Sequence, residues 1–260
     1  MTPVMGIATS TAAPQAASPT AAPFEPTLDW TPKARLLGIF GGWTLFGMGV
    51  AYIVTMLAGF IIAGNLTDPI KDPYLAIMEL MIVVQAPIIV LMFAVIHAYA
   101  ARANRVLSLS ALALVCLMAG ITISVHCVLL TVGRQLSPAA IPAFTQLFSW
   151  QWPSVFYALD ILAWDFCFGL ALVAAAPIFG GHRLGRWVRT GMLLAGALCL
   201  PGLAGVVVGN MQIRNIGIVG YGAIFPVVSL LVARFFTQLS PAWVQPPDNE
   251  LATNSGRFPA

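Results

Sequence analysis

Long apolar runs with very few charges alternate with short polar segments along the chain, and this pattern predicts the secondary structure. A helix needs about 20 mainly apolar residues to cross the hydrocarbon core of a bilayer. Six runs meet that length: Leu36–Gly64, Tyr74–Ala101, Val106–Gly133, Pro153–Gly180, Thr190–Asn210 and Ile216–Phe236. They are continuous stretches and lack the in/out alternation of a transmembrane β-barrel. The sequence therefore predicts an all-α, polytopic membrane helix bundle with six transmembrane helices.

The two ends of the chain differ in composition from its central part. Residues 1–32 contain no Lys or Arg and are rich in Ala, Pro, Ser and Thr, while residues 237–260 combine prolines with acidic residues. Such segments bury too little apolar surface to fold by themselves. We predict a disordered N-terminal tail at 1–32, a transmembrane domain at 33–236 and a disordered C-terminal tail at 237–260. The first tail lacks the basic start of a signal peptide.

Basic residues are distributed unequally between the two sides of the six predicted spans. Three lie on one side, namely Lys71, Arg134 and Arg214. The other nine lie on the side of the termini: Lys33, Arg35, Arg102, Arg105, Arg183, Arg186, Arg189, Arg234 and Arg257. Short cytoplasmic loops retain positive charge. The sequence therefore predicts that both termini are cytoplasmic, in a multi-pass protein of a cytoplasmic (inner) membrane.

Composition supports a membrane location and narrows the choice of partners. Hydrophobic residues make up 59% of the chain and charged residues 8%, and the mean hydropathy is +0.90. A net charge of +3 is too small and scattered for nucleic-acid binding, so membrane lipid is the expected partner. The four cysteines lie in apolar runs without metal-ligand spacing: Cys116, Cys127, Cys167 and Cys199. We expect neither a metal nor a cofactor.

Known catalytic motifs are missing from the sequence. It contains no H-E-x-x-H, no G-x-S-x-G and no glycine-rich phosphate loop with a lysine. His97 and His126 lie at different predicted depths, which argues against the two axial ligands of one haem. The sequence thus names no reaction.

Three acids and two histidines lie inside the predicted spans: Glu79, Asp160, Asp165, His97 and His126. Such residues are costly in a membrane and indicate a functional site. At a rise of about 1.5 Å per residue, Asp160 lies about 10 Å and Asp165 about 18 Å from the outer start of the fourth span. All of them except His97 are placed in the outer half of the membrane.

These charges predict a ligand-binding polar pocket that opens outward. A carboxylate in a low-dielectric setting must pair with a cation or hold a proton, and two arginines lie on the same side. The predicted pocket consists of Glu79, His126, Arg134, Asp160, Asp165 and Arg214. The alternative is a set of ion pairs that only fix the register of the helices.

The two aspartates of the fourth span are predicted to face different ways. They are five residues apart, which is about 140° around an α-helix, so they are not expected to form a dyad. Leu162, Phe168 and Gly169 make the surroundings of Asp165 apolar. Asp165 is therefore the candidate for a protonatable switch.

One outer connection is unusually apolar. Between Arg134 and Trp152, apolar residues recur at helical spacing at Ile141, Phe144, Leu147 and Phe148. This pattern predicts a short helix in the membrane interface, which either covers a cavity or only anchors the third and fourth spans.

Small residues mark faces at which helices approach closely. The pairs Gly38/Gly42 and Gly205/Gly209 each form G-x-x-x-G. These faces serve either packing within one chain or a homo-oligomer.

The sequence favours a transport or sensing protein for a small molecule or a proton. Its mechanism is protonation or ion pairing at Asp160 and Asp165, coupled to movement at Pro87 or Pro201. One alternative is an enzyme that acts on lipid at the outer leaflet, with an acid as general base and Arg214 holding a phosphate. The other alternative is a membrane scaffold or assembly subunit.

Overall fold

The computed structural model describes residues 30–64, 70–136 and 143–239, and it is all-helical within them. These residues include six helices long and apolar enough to cross a membrane: α1 (Pro32–Ala63), α2 (Tyr74–Tyr99), α3 (Arg102–Gln135), α4 (Val155–Ile178), α5 (Arg183–Val207) and α6 (Met211–Gln238). The predicted fold class is confirmed. Most of both predicted disordered tails lies outside the described residues.

The bundle has two ends, which we name by the position of the termini. The proximal end carries the start of α1, the end of α6, and the α2–α3 and α4–α5 connections. The distal end carries the α1–α2, α3–α4 and α5–α6 connections. The distal end corresponds to the side that the sequence predicts to be outer.

Local signals explain where α1 begins and ends. The Thr31 hydroxyl accepts a hydrogen bond from the Ala34 amide at 3.1 Å, and Pro32 occupies the first turn. The helix stops at Gly64, whose φ of +84° lies in the left-handed region that glycine adopts without steric cost.

Helices α5 and α6 show the largest shifts of a helix start from the predicted runs. Helix α5 begins at Arg183 rather than Thr190, because its arginines are exposed on the first turns and keep their charged groups out of the apolar core. Helix α6 begins at Met211 rather than Ile216, where the Asn210 side chain accepts a hydrogen bond from the Gln212 amide at 3.0 Å. Arg214 therefore lies inside α6, not in the outer turn that the sequence predicts.

Two π-helical segments interrupt the α-helices of the bundle. One spans Leu162–Phe168 in α4 and the other Val219–Ile224 in α6. The second lies just before Pro226, which has no N–H to donate and crowds the carbonyl four residues earlier. Nothing in the local sequence of α4 explains the first. A π-turn changes the direction in which later side chains point, which matters at the site described below.

Helix α4 occupies the centre of the bundle. In its most apolar window 67% of residues are buried, against at most 44% in the other spans. It packs against α3 and α5, while α1 packs against α2 and α6. The centre towards the proximal end is apolar and rich in aromatic rings: Phe93, Tyr99, Phe168, Phe179, Phe225, Phe235 and Phe236.

The glycine faces are occupied by helices of the same chain. A Cβ at Gly42 would lie 2.6 Å from the carbonyl oxygen of Ser229, and one at Gly38 would lie 2.6 Å from the Phe236 ring. These contacts support the interpretation of packing within one chain. A homo-oligomer through Gly-rich faces stays a prediction.

Candidate functional site

Five of the six predicted site residues converge in the distal half of the bundle. We call them the charged network: Glu79 of α2, His126 of α3, Asp160 and Asp165 of α4, and Arg214 of α6. Exposure of these side chains runs from 0% at Asp165 to 13% at Asp160. Four helices are thus joined by ionisable groups that are almost fully removed from solvent.

His126 bridges two carboxylates of the network. Its Nδ1 is hydrogen-bonded to Oε2 of Glu79, and its Nε2 lies 3.6 Å from Oδ1 of Asp160. An imidazole carries a proton on either ring nitrogen and changes charge near neutral pH. The ring is therefore positioned between a carboxylate on α2 and another on α4.

Arg214 is the cation at the centre of the network. Its Nη2 lies 3.6 Å from Oδ2 of Asp160 and 3.5 Å from Oδ2 of Asp165. The same nitrogen donates a hydrogen bond of 3.0 Å to the Tyr221 hydroxyl. The guanidinium carbon lies 4.8 Å from the centre of the Tyr157 ring, in cation–π geometry. The guanidinium is therefore surrounded by groups of its own chain.

Asp160 and Asp165 share one cationic partner, which corrects the expectation that they face different ways. The π-helical segment Leu162–Phe168 begins two residues after Asp160 and contains Asp165. The angle of about 140° expected for residues five apart applies to an uninterrupted α-helix, and a π-helical segment changes the direction of the side chains within and after it. The sequence does not predict this segment, and with it Asp165 lies beside the same guanidinium nitrogen as Asp160.

Two glycines leave the space that Asp165 fills. Its Oδ1 lies 2.9 Å from where a Cβ at Gly202 of α5 would be, and the carboxylate stands where a Cβ at Gly217 of α6 would be. Both of its oxygens lack a hydrogen-bond partner among the described residues. Asp165 is thus enclosed by backbone from two helices, and Arg214 is its one ionic partner within the described part of the chain.

The distal connection covers the network. The indole Nε1 of Trp150 donates a hydrogen bond of 2.7 Å to Oε1 of Glu79, and its ring lies 5.2 Å from the His126 ring. Among the described residues, the network therefore does not open outward in this conformation, in contrast to the predicted pocket. The predicted interfacial helix is a single turn, Phe144–Leu147, while Ile141 lies outside the described residues.

Arg134 does not belong to the network, contrary to the sequence prediction. It ends α3 and pairs with Asp72, just before α2, with 39% and 57% of the two side chains exposed. The prediction overlooked Asp72 because that residue lies outside the apolar runs. Arg134 lies near the end of its helix, where a partly exposed carboxylate such as Asp72 is closer to it than the buried acids of the network.

Three further groups contact the network without having been identified as site residues. Trp150 donates a hydrogen bond to Glu79, and the Tyr221 hydroxyl accepts one from Arg214. The Tyr157 ring lies 4.8 Å from the Arg214 guanidinium carbon, in cation–π geometry. Aromatic residues are common in apolar spans, and no spacing in the sequence separates these from core residues.

The network holds more potential negative than positive charge. Three carboxylates face one guanidinium and one imidazole. An unpaired charge is very costly in a low-dielectric interior. With every carboxylate ionised, one negative charge remains uncompensated even when His126 is protonated. The net charge of the network is therefore zero when His126 is protonated and one of the three carboxylates also holds a proton.

The other histidine inside a span is satisfied locally. Nδ1 of His97 lies 2.8 Å from the Ser108 hydroxyl, near the proximal end. Across the part of the chain that the structure describes, no three His, Cys, Asp or Glu side chains are arranged to hold a metal ion.

Comparisons with protein-family models, curated proteins and solved structures find no match for this chain.

Proposed function

We propose that this chain is a proton-coupled membrane protein, for transport or sensing, in which the charged network binds and releases the proton. The observation that carries the proposal is the unequal number of acidic and basic groups in a closed site. A proton needs no open cavity, so closure of the distal end is compatible with this function.

The network offers a path for the proton between helices. Glu79 lies closest to the distal connection, through its hydrogen bond from Trp150. His126 contacts Glu79 with one ring nitrogen and faces Asp160 with the other. A proton accepted from Glu79 at Nδ1 is matched by release of the Nε2 proton to Asp160, so the imidazole is neutral before and after transfer.

An apolar layer beneath the network favours coupling to movement over free conduction. Phe168 lies three residues after Asp165 and packs on Phe225 with ring centres 4.7 Å apart, and on Phe93 at 6.1 Å. These rings are almost completely buried. A proton on Asp165 therefore requires a change in helix packing before it reaches the proximal end.

The π-helical segments are the candidates for that change. A protonated Asp165 no longer attracts Arg214 by charge, which weakens the contact between α4 and α6. Both helices contain a π-helical segment beside this contact, and π-turns are frequent at functional sites. A small-molecule ligand would enter only after the Trp150 connection opens.

Location and orientation form part of the proposal. Among the described residues, eight Lys and Arg side chains lie towards the proximal end, against Lys71, Arg134 and the buried Arg214 at the other. The positive-inside rule then supports cytoplasmic termini in a cytoplasmic membrane. The lipid-enzyme alternative has less support, because the Arg214 guanidinium is 2% exposed and surrounded by its own chain.

Infrared difference spectroscopy of the reconstituted full chain tests the proposal. At neutral pH we expect the C=O stretch of a protonated carboxyl group, which is absent or displaced in Asp165→Asn or Asp160→Asn. In liposomes that contain a pH-sensitive dye, the same substitutions should stop proton movement if the protein is a transporter.

The matched control is Asp72→Asn, which removes a distal carboxyl outside the network. It should leave the infrared band and proton movement unchanged. The proposal is wrong if Glu79→Gln, Asp160→Asn and Asp165→Asn all retain the spectrum of the unmodified chain.

A further inference from the structure

A second polar feature lies at the proximal end, on the opposite side of the apolar layer from the charged network. It is a cleft of about 740 Å³ between α1, α5 and the end of α6. Ligand sites of small molecules commonly fall in the range of about 300 to 1,000 Å³. Its principal lining residues are Trp43, His182, Arg183, Leu184, Trp187 and Arg234. We call this the proximal cleft.

The proximal cleft carries positive charge that the described residues do not neutralise. Arg183 and Arg234 are exposed, and neither has a carboxylate partner within 30–64, 70–136 and 143–239. Arg35 differs from them, because its guanidinium donates hydrogen bonds to the carbonyls of Phe236 and Thr237 at 2.8 and 2.9 Å. Two arginines thus remain available for an anion from outside.

The start of α5 adds to this positive potential. His182 precedes the helix without capping it through its side chain, and the first turn contains no acidic residue. The amide end of a helix of this length attracts anions. The His182 ring stacks on Phe235 with centres 5.1 Å apart and planes 12° apart, which holds a further N–H donor beside the arginines.

Exposed apolar side chains form part of the lining of the cleft. Trp43 is 48% exposed and Trp187 56% exposed, and Leu184 completes this lining. Tryptophan is enriched where the polar and apolar layers of a membrane meet. A free phosphate ion would contact the arginines alone, whereas a lipid would also cover the two indole rings.

We propose that the proximal cleft binds the headgroup phosphate of an anionic phospholipid from the adjacent leaflet. Arg183 and Arg234 pair with the phosphate, and the lipid chains pack along Trp43 and Trp187. Basic pockets between transmembrane helices bind acidic headgroups in this way. This site is independent of the charged network and of the function proposed for it.

Lipid binding to the purified full chain in a neutral detergent tests the proposal. The probes are phosphatidylglycerol, phosphatidylcholine and inorganic phosphate, with bound lipid counted by native mass spectrometry. We expect phosphatidylglycerol to bind in preference to phosphatidylcholine, and phosphate not to compete at equal concentration. The double substitution Arg183→Gln/Arg234→Gln should weaken phosphatidylglycerol binding by about tenfold or more.

The matched control is Arg102→Gln/Arg186→Gln, which removes two exposed arginines towards the same end but outside the lining residues. It should retain binding. Brominated phosphatidylglycerol should quench tryptophan fluorescence less in Trp43→Phe/Trp187→Phe than in the unmodified chain. Equal loss in both arginine pairs, equal binding of the two lipids, or full competition by phosphate would each overturn the proposal. The unfolding temperature of every variant verifies that it is folded.

Discussion

Trp150 donates a hydrogen bond of 2.7 Å to Oε1 of Glu79, so the connection between α3 and α4 is fastened to α2. This indole is the polar contact that covers the charged network. Because the acceptor is a buried carboxylate, the bond is expected to contribute about 1.5 to 3 kcal/mol.

Replacing Trp150 by phenylalanine should uncover the network without removing the aromatic ring. We expect Trp150→Phe to increase the modification of Glu79 by a water-soluble carbodiimide, measured by peptide mass spectrometry. Trp152→Phe is the control, because Trp152 contacts the Tyr157 ring and makes no described hydrogen bond to the network. Equal modification of Glu79 in both variants would contradict the role of Trp150 as a cover.

Removing the cation of the network should be more harmful than removing one of its acids. Arg214→Gln leaves buried carboxylates without their arginine, and breaking a buried pair in this way costs about 3 to 5 kcal/mol. Asp165→Asn retains a polar group of the same shape and should cost less. In the double variant the two losses should be smaller than additive, as measured by unfolding in detergent.

The exposed ion pair between Arg134 and Asp72, at the same end of the bundle, supplies the control for this double-mutant cycle. Arg134→Gln and Asp72→Asn should each cost under about 1 kcal/mol, since both groups are partly hydrated. Strict additivity of the losses at Arg214 and Asp165 would contradict their coupling.

Gly217 should tolerate no side chain, because the Asp165 carboxylate occupies the space that a Cβ would need. We expect Gly217→Ala to lower the free energy of unfolding by about 1 to 3 kcal/mol, as for other overpacked sites. Gly222→Ala should have little effect, since only Ile218 Cγ2 approaches that position, at 3.6 Å. Asp165→Ser should restore part of the stability lost in Gly217→Ala. If it restores none, the loss in Gly217→Ala does not come from a clash with Asp165.

A substitution at Gly42 can distinguish helix packing within one chain from helix packing between two chains. A Cβ there would lie 2.6 Å from the Ser229 carbonyl of α6, so Gly42→Ala should lower stability. The mass of the detergent-solubilised protein, measured by light scattering, should not change. Gly47→Ala is the control, because nothing lies within 4 Å of that position. Dissociation of an oligomer by Gly42→Ala alone would favour the homo-oligomer instead.

Orientation can be measured with single introduced cysteines. In intact cells, a membrane-impermeant maleimide should label Lys71→Cys at the distal end and should not label Arg186→Cys towards the proximal end. The unmodified chain supplies the background from its own four cysteines. The opposite labelling pattern would reverse the proposed orientation.

The spans and the membership of the site were predictable to different degrees. Span positions follow from length and charge along the chain, and the largest error arises where arginines enter a helix, as at Arg183. The convergence of five of the six predicted site residues could be expected, because buried charges must find partners. The pairing of Arg134 with Asp72 could not, since no pattern along the sequence indicates that Asp72 lies nearer to it than the buried acids do.

The six-helix architecture was determined by the sequence alone, because the thickness of a bilayer sets a simple requirement on each apolar run. The meeting of Asp160 and Asp165 at Arg214 was decided by the tertiary structure. It involves the π-helical segment in α4 and the space left by glycines of two other helices, while the indole of a distant connection contacts Glu79 of the same network. These features depend on the angles and relative depths of neighbouring helices, which cannot be predicted from hydropathy along the sequence.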